Sequence, residues 1–217
     1  FWRFEKKFII QKECLYSFIF LIKKNNFFLN EKYPKRNVKN LYLDTYSYIS
    51  FFQNLDGLSD REKFRIRWYD NKFDEIIKGN FECKIKRNKV NSKKIFQLKP
   101  FKISLEDNSY KIYEKIKLAC SDKEYKRLIT ALKPSLFTEY RRSYYSSPCD
   151  QFRITLDNDI IFRKTSNLLI KNEIKNKVIV EIKYPSYAEK DFKNFIKDIP
   201  YRFSRMSKYV NAVSQLS

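Results

Sequence analysis

Glu-x-Lys occurs three times in this chain, at Glu5/Lys7, Glu82/Lys84 and Glu181/Lys183. In each case charged and oily residues alternate, so both members fall on one side of an extended strand. The stretch Asp60 to Lys86 carries the densest version. Arg61, Lys63, Arg65 and Arg67 share one face there, opposite Phe64, Ile66 and Trp68. Glu82, Lys84 and Lys86 then oppose Phe81, Cys83 and Ile85. Later, Tyr140 and Arg142 share a face, and Arg153, Thr155 and Asp157 oppose Phe152, Ile154 and Leu156. Guanidinium groups clamp phosphates through paired N–H groups, and ammonium groups act as point charges. A carboxylate two residues from a lysine can pair with it or hold a hard cation. The chemistry in reach is the handling of a polyanion. The bland alternative is cross-strand ion pairing on a wet surface, at about 0.2–1 kcal/mol per pair. Repetition at three separate strands favours a shared site, a polar lumen that a polyanion fills.

The totals agree. Forty-six Lys and Arg against 25 acids give a net charge of +21. Such an excess calls for an anionic partner. There is no histidine, which excludes His-based triads, His general bases and His-ligated metals. Two glycines, Gly57 and Gly79, cannot build a Walker loop or a dinucleotide fingerprint. Cys14, Cys83, Cys120 and Cys149 are far apart with no C-x-x-C, so they read as small buried hydrophobes in a reducing compartment rather than a zinc site. The longest oily run, Cys14 to Ile22, is too short to cross a bilayer. No signal peptide is visible, although the chain opens on Phe1 rather than Met. The expected location is cytoplasmic, with a membrane-associated partner or a segment outside this chain as the route to any membrane.

The elements that must position these residues follow from periodicity. Strands are expected over Trp2–Gln11, Asn37–Leu43, the two charged runs, Ile95–Leu98, Leu136–Tyr145, Gln151–Leu156, Ile160–Arg163 and Lys175–Tyr184. Helices are expected over Gln11–Lys24, Tyr46–Asn54, the later part of Phe101–Leu118, Ser121 to about Leu132, Ser186 to about Lys197, and Ser204–Leu216. Ser121…Glu124 and Ser186…Glu189 read as capping boxes. Asp44 reads as a helix N-cap. Asn88–Lys94 reads as a basic loop, and Asp157-Asn158-Asp159 as a turn. No repeat or linker divides the 217 residues, so residues 1–217 read as one domain. The sum is α+β: an eight-stranded antiparallel β-barrel, closed or nearly so, with a cationic lumen and oily strand faces turned outward under α-helices.

These residues resemble the VTC-type polyphosphate polymerase domain, a branch of the triphosphate tunnel metalloenzymes (the CYTH-like group). The likeness rests on Glu5-Lys-Lys7-Phe, N-L-Y-L-D-T at 40–45, F-R-I-R-W-Y at 64–69 and F-E-C-K-I-K at 81–86. It continues through E-Y-R-R-S-Y at 139–144, R-I-T-L-D at 153–157, V-E-I-K-Y at 180–184 and I-P-Y-R-F-S-R-M-S-K-Y at 199–209. The resemblance implies an eight-stranded tunnel. In it Lys7, Arg65, Arg67, Lys84, Arg142, Arg153, Lys183 and Lys208 carry the catalytic cations, and Arg205, Arg61, Lys94 and Tyr140 add substrate contacts. Glu181 is the principal ligand of Mn2+ or Mg2+, assisted by Glu5 and Glu82. The implied activity is transfer of the γ-phosphoryl group of ATP to a growing inorganic polyphosphate chain. The triphosphatase branch opens with Glu-x-Glu-x-Lys, whereas Arg3 stands first here, which tilts the expectation from hydrolysis to transfer. No basic tunnel residue stands near Gln53-Asn54, where one is expected, unless Arg61 takes that role.

Two other classes remain open from sequence. One is a metal-dependent inorganic or nucleoside triphosphatase in the same tunnel. The other is a non-catalytic domain that binds polyphosphate or inositol phosphates. Nucleic acid is disfavoured, because the aromatics fall opposite the cations on the strands and cannot stack bases held there.

Overall fold

The structure, a computed structural model, describes residues 3–24, 27–69, 72–87, 90–197 and 199–216. In chain order, β1 (Arg3–Gln11) leads through a 3-10 turn at Lys12–Cys14 into α1 (Leu15–Lys24). Then come β2 (Asn30–Asp44), α2 (Ile49–Leu55), β3 (Arg61–Trp68), β4 (Glu75–Ile76), β5 (Asn80–Arg87), β6 (Val90–Gln97) and β7 (Phe101–Lys102). The helices α3 (Ser109–Leu118) and α4 (Lys123–Thr130) follow. The chain closes with β8 (Lys133–Ser146), β9 (Arg153–Lys164), β10 (Lys171–Ile174), β11 (Lys177–Pro185), α5 (Glu189–Ile196) and α6 (Lys208–Leu216).

The main sheet has the order β1-β11-β9-β8-β2-β3-β5-β6, with β10 alongside β9. The α+β class and the large antiparallel sheet are as expected. The closed barrel is not: the order is an open path ending on β1 and β6. Each of those edge strands carries two adjacent lysines, Lys6-Lys7 and Lys93-Lys94. Charge of that kind on an edge opposes the addition of a further strand.

The chain forms two compact units. One comprises Phe1–Arg36, Tyr140–Ile160 and Ile174–Met206; the other comprises Asn37–Glu139, Ile161–Glu173 and Ser207–Ser217. Each has its own core. In the first, Phe8 and Ile10 of β1, Ile154 and Leu156 of β9, and Val180 and Ile182 of β11 are buried under Phe18 of α1 and Phe192 and Phe195 of α5. Tyr184 stacks on Phe192 at 4.0 Å between ring centroids. In the second, Phe64, Ile66 and Trp68 of β3 and Phe81 and Cys83 of β5 are buried with Ile112 and Ile116 of α3 and Tyr125 and Ile129 of α4. The Tyr125 hydroxyl donates to the Ile116 carbonyl at 2.6 Å, tying α4 to α3. Gly79 is needed where β4 meets β5: a Cβ there would lie 2.5 Å from the Ile76 Cγ2. In both units the oily strand faces are covered by helices and the charged faces turn away from them, as the alternation predicts.

Several local expectations are corrected. β6 begins at Val90, so most of the expected basic loop is strand; Asn88 and Lys89 themselves lie outside the described residues, as does Trp2 of the expected first strand. Asp157-Asn158-Asp159 is not a turn but part of β9, with Asp159 at a left-handed φ of 51°. The first capping box is displaced by one residue: Asp122, not Ser121, accepts from the Tyr125 N–H at 3.0 Å. Ser186 opens a 3-10 turn without a side-chain cap, and Glu189 instead accepts from the Tyr184 hydroxyl at 2.8 Å. Asp44 does hold α2, accepting from the Ser50 and Phe51 N–H groups at 2.9 and 3.0 Å, from five residues before the first residue of the helix. Of the cysteines, Cys83 is buried but Cys149 is exposed. Among the described residues no helix is long and apolar enough to cross a membrane.

Candidate functional site

In the first unit, antiparallel register sets Lys7 opposite Glu181 and Glu181 opposite Thr155, and sets Glu5 opposite Lys183 and Lys183 opposite Arg153. Alternation turns all six onto the helix-free face. The Lys7 ammonium lies 2.6 Å from Glu5 and 3.2 Å from Glu181. Lys183 lies 2.7 Å from Glu181 and 3.7 Å from Glu5. Two carboxylates and two ammoniums therefore form a closed square. Burial pushes the Glu181 carboxyl up, but Lys7, Lys183 and Arg142 outweigh it and hold it well below the ordinary carboxylate range. Burial likewise opposes the charge on Lys7, and Glu181 and Glu5 overcome it. Thr155 keeps its Oγ1 buried with no hydrogen-bond partner among the described residues.

Next to this square, Arg142 grips both oxygens of fully buried Asp157, at 2.6 and 2.7 Å. Its guanidinium also lies over the Tyr140 ring at 5.2 Å and the Tyr144 ring at 6.0 Å. The aromatics are thus not confined to the oily side, which corrects one ground for disfavouring nucleic acid. Arg153 pairs with Asp150 at 3.1 Å near the β8–β9 connection. Arg205 is exposed in the segment before α6.

In the second unit, register builds rows across three strands. Lys63, Lys84 and Lys93 lie directly opposite one another along β3, β5 and β6, and Arg65 lies opposite Glu82 in the next row. Three like charges side by side destabilise a bare sheet. Glu82 is the carboxylate set among them. It binds Arg65 at 2.6 Å through one oxygen and Lys93 at 2.5 Å through the other. Burial raises its pKa, but Arg65, Arg67 and Lys93 together pull it down to about 2. Arg67 donates to Asn40 at 2.8 Å, and Asn40 donates to Thr138 at 3.0 Å. Lys63 reaches the Ser207 hydroxyl at 3.4 Å, beside Lys208 at the start of α6. Arg61 shares the face of Lys63 and donates to the Leu58 carbonyl at 2.7 Å.

Lys94 falls outside this cluster. It lies opposite Cys83, on the helix-covered side, and pairs with Glu124 of α4 at 2.5 Å. Lys93, missed from sequence, takes the polar position instead. The signal was there: adding two residues to the expected strand start reverses nothing in phase, and Phe96 already fixes which side is oily. Gln53 and Asn54 face neither cluster, being held by the Glu62 N–H and the Ser50 carbonyl.

Glu5 and Glu181 each touch both ammoniums, Lys7 and Lys183, and carry the hard oxygen donors that suit Mg2+ or Mn2+. Among the described residues no group of three acids, cysteines or histidines meets at one point. The remaining ligands of such an ion would be water and phosphate oxygens. Glu82 belongs to the other unit and is engaged with Arg65 and Lys93.

The family model described as VTC domain matches residues 2–217, and so takes in both units. No curated protein matches the chain. Among solved structures, a Vibrio parahaemolyticus protein provisionally described as an adenylate cyclase is similar at TM-score 0.57 and 10% identity, over 98% of each chain. A Pyrococcus horikoshii protein is similar at TM-score 0.54 and 13% identity, over 99% of each chain. At these identities the likeness shows a shared fold.

Proposed function

Because this chain belongs to the VTC domain family, we propose that it is a divalent-metal-dependent polyphosphate polymerase. It moves the γ-phosphoryl group of ATP onto the end of an inorganic polyphosphate chain. The observation that carries this reading is the Lys63–Lys84–Lys93 row, whose charges register brings together. A polyanion laid along it would add to the charge compensation that Glu82 begins at Lys93.

Phosphoryl transfer needs positioning and charge neutralisation more than covalent protein chemistry, which suits a site without histidine. Arg65, Arg67, Arg142 and Arg153 orient phosphate groups through paired N–H donors; Lys7, Lys84, Lys183 and Lys208 offset their charge. Arg205 and the Tyr140 hydroxyl in the first unit, and Arg61 and Lys93 in the second, add phosphate contacts. Glu181, with Glu5, would hold Mn2+ or Mg2+, which would offset charge developing on the phosphate. The Arg142–Asp157 clamp keeps one guanidinium in place without metal.

Glu181→Gln tests the assignment. The variant is expected to lose polyphosphate synthesis from ATP and Mn2+ by at least a hundredfold while still binding tripolyphosphate. Full activity in that variant removes Glu181 from the mechanism. Release of orthophosphate without polymer in the unaltered protein would make it a triphosphatase instead.

A further inference from the structure

The second unit also contains a cavity of 580 Å3 that none of the residues assigned above lines. Its size is that of a small-molecule site. Two lysines open into it, Lys133 from the start of β8 and Lys164 from the end of β9. Among the described residues neither ammonium has a carboxylate partner. Lys133 is instead held over aromatic rings, 4.3 Å from the centroid of Tyr48 and 5.3 Å from that of Tyr46. A cation–π contact of this kind fixes the ammonium while leaving its N–H donors free.

The rest of the wall is equally ordered. The Thr165 hydroxyl donates to the Pro134 and Ser135 carbonyls at 3.2 and 3.0 Å and accepts from Ser109 at 3.1 Å. Ser109 opens the ten-residue helix α3, whose positive dipole end therefore adjoins the cavity. Tyr48, Phe51 and Phe52 also line it. Tyr48 reaches its place from a left-handed backbone, φ 55°, which is uncommon for a tyrosine. Phe52 is 51% exposed, and its ring meets that of Phe51 edge-on at 5.1 Å between centroids.

We propose that this cavity is a second anion site, taking a phosphomonoester that carries a flat ring, the chemistry of a mononucleotide. The phosphate lies between Lys133 and Lys164 at the α3 end. The ring lies against Phe52, beside the Lys133-capped ring of Tyr48. Lysines alone would accept any phosphate; the exposed part of Phe52 selects for a ring.

AMP is the probe, titrated by calorimetry with inorganic tripolyphosphate present in excess to fill the other cationic face. AMP is expected to bind under those conditions, and ribose 5-phosphate, which lacks the ring, at least tenfold more weakly. The Lys133→Gln, Lys164→Gln double variant should weaken AMP at least tenfold, whereas Arg65→Gln should leave AMP binding unchanged. Absence of AMP binding in the presence of tripolyphosphate, equal binding of ribose 5-phosphate, or undiminished AMP binding by the double variant would each overturn the proposal. If the double variant does not fold, Phe52→Leu at an exposed position replaces it. That variant should lower AMP affinity several-fold and leave ribose 5-phosphate unaffected; unchanged AMP affinity overturns the proposal.

Discussion

Arg142 and Arg65 look alike in sequence, each two residues from another polar member of its strand face, yet they are held differently. Arg142 spans both oxygens of a carboxylate with no exposure. Arg65 uses one oxygen of Glu82 and leaves the other to Lys93. Breaking a buried pair from one side costs about 3–5 kcal/mol, because the remaining charge is stranded. Asp157→Asn is therefore expected to lower unfolding free energy by about that amount in urea denaturation; a loss under 1 kcal/mol would contradict it. Glu82 gives a pH dependence. Its folded pKa, about 2, lies below its ordinary 4.5. The group therefore stabilises the fold fully above pH 4.5 and progressively loses that contribution as pH falls towards 2. Melting temperatures of the unaltered protein should drop through this window more steeply than those of Glu82→Gln. Parallel curves would show that Glu82 is not linked to folding.

At the scale of elements, period-2 alternation made the strands legible. It assigns Phe64, Ile66 and Trp68 to the core and Arg65 and Arg67 to the polar face, where the structure has them. It failed where composition masks alternation. β6 begins with Val90, Asn91 and Ser92, which read as loop, and so Lys93 was lost. Asp157 and Asp159 read as a turn because aspartate favours turns. The buried Arg142 partner of Asp157, remote in sequence, is what keeps that stretch in the strand. Helix starts failed by a residue for the same reason: Asp122 and Ser121 are equally good caps in isolation. Register was not legible at all, and the lysine row exists only through register. Tripolyphosphate is expected to raise the melting temperature, and added salt to shrink that rise. Lys84→Gln should reduce both effects by removing the middle of the row. An unchanged response in that variant would show that the row does not hold the phosphate.

For the whole molecule, the family match runs through both units. Neither unit is contiguous in sequence, and β2, β8 and β9 each contribute residues to both. The net charge of +21 is the sequence feature that all the polar faces share. The open end of the sheet could not be read from sequence, because edge pairing depends on where strands stop rather than on which residues they contain. The central claim is that these cations serve transfer of phosphate to phosphate. The most direct measurement supplies the protein with Mn2+ and ATP labelled at either the γ- or the α-phosphorus, then separates products on a gel. Label from the γ position entering a ladder of long chains, with none from the α position, is the predicted result. Label appearing only as orthophosphate, or no turnover of either nucleotide, would contradict it.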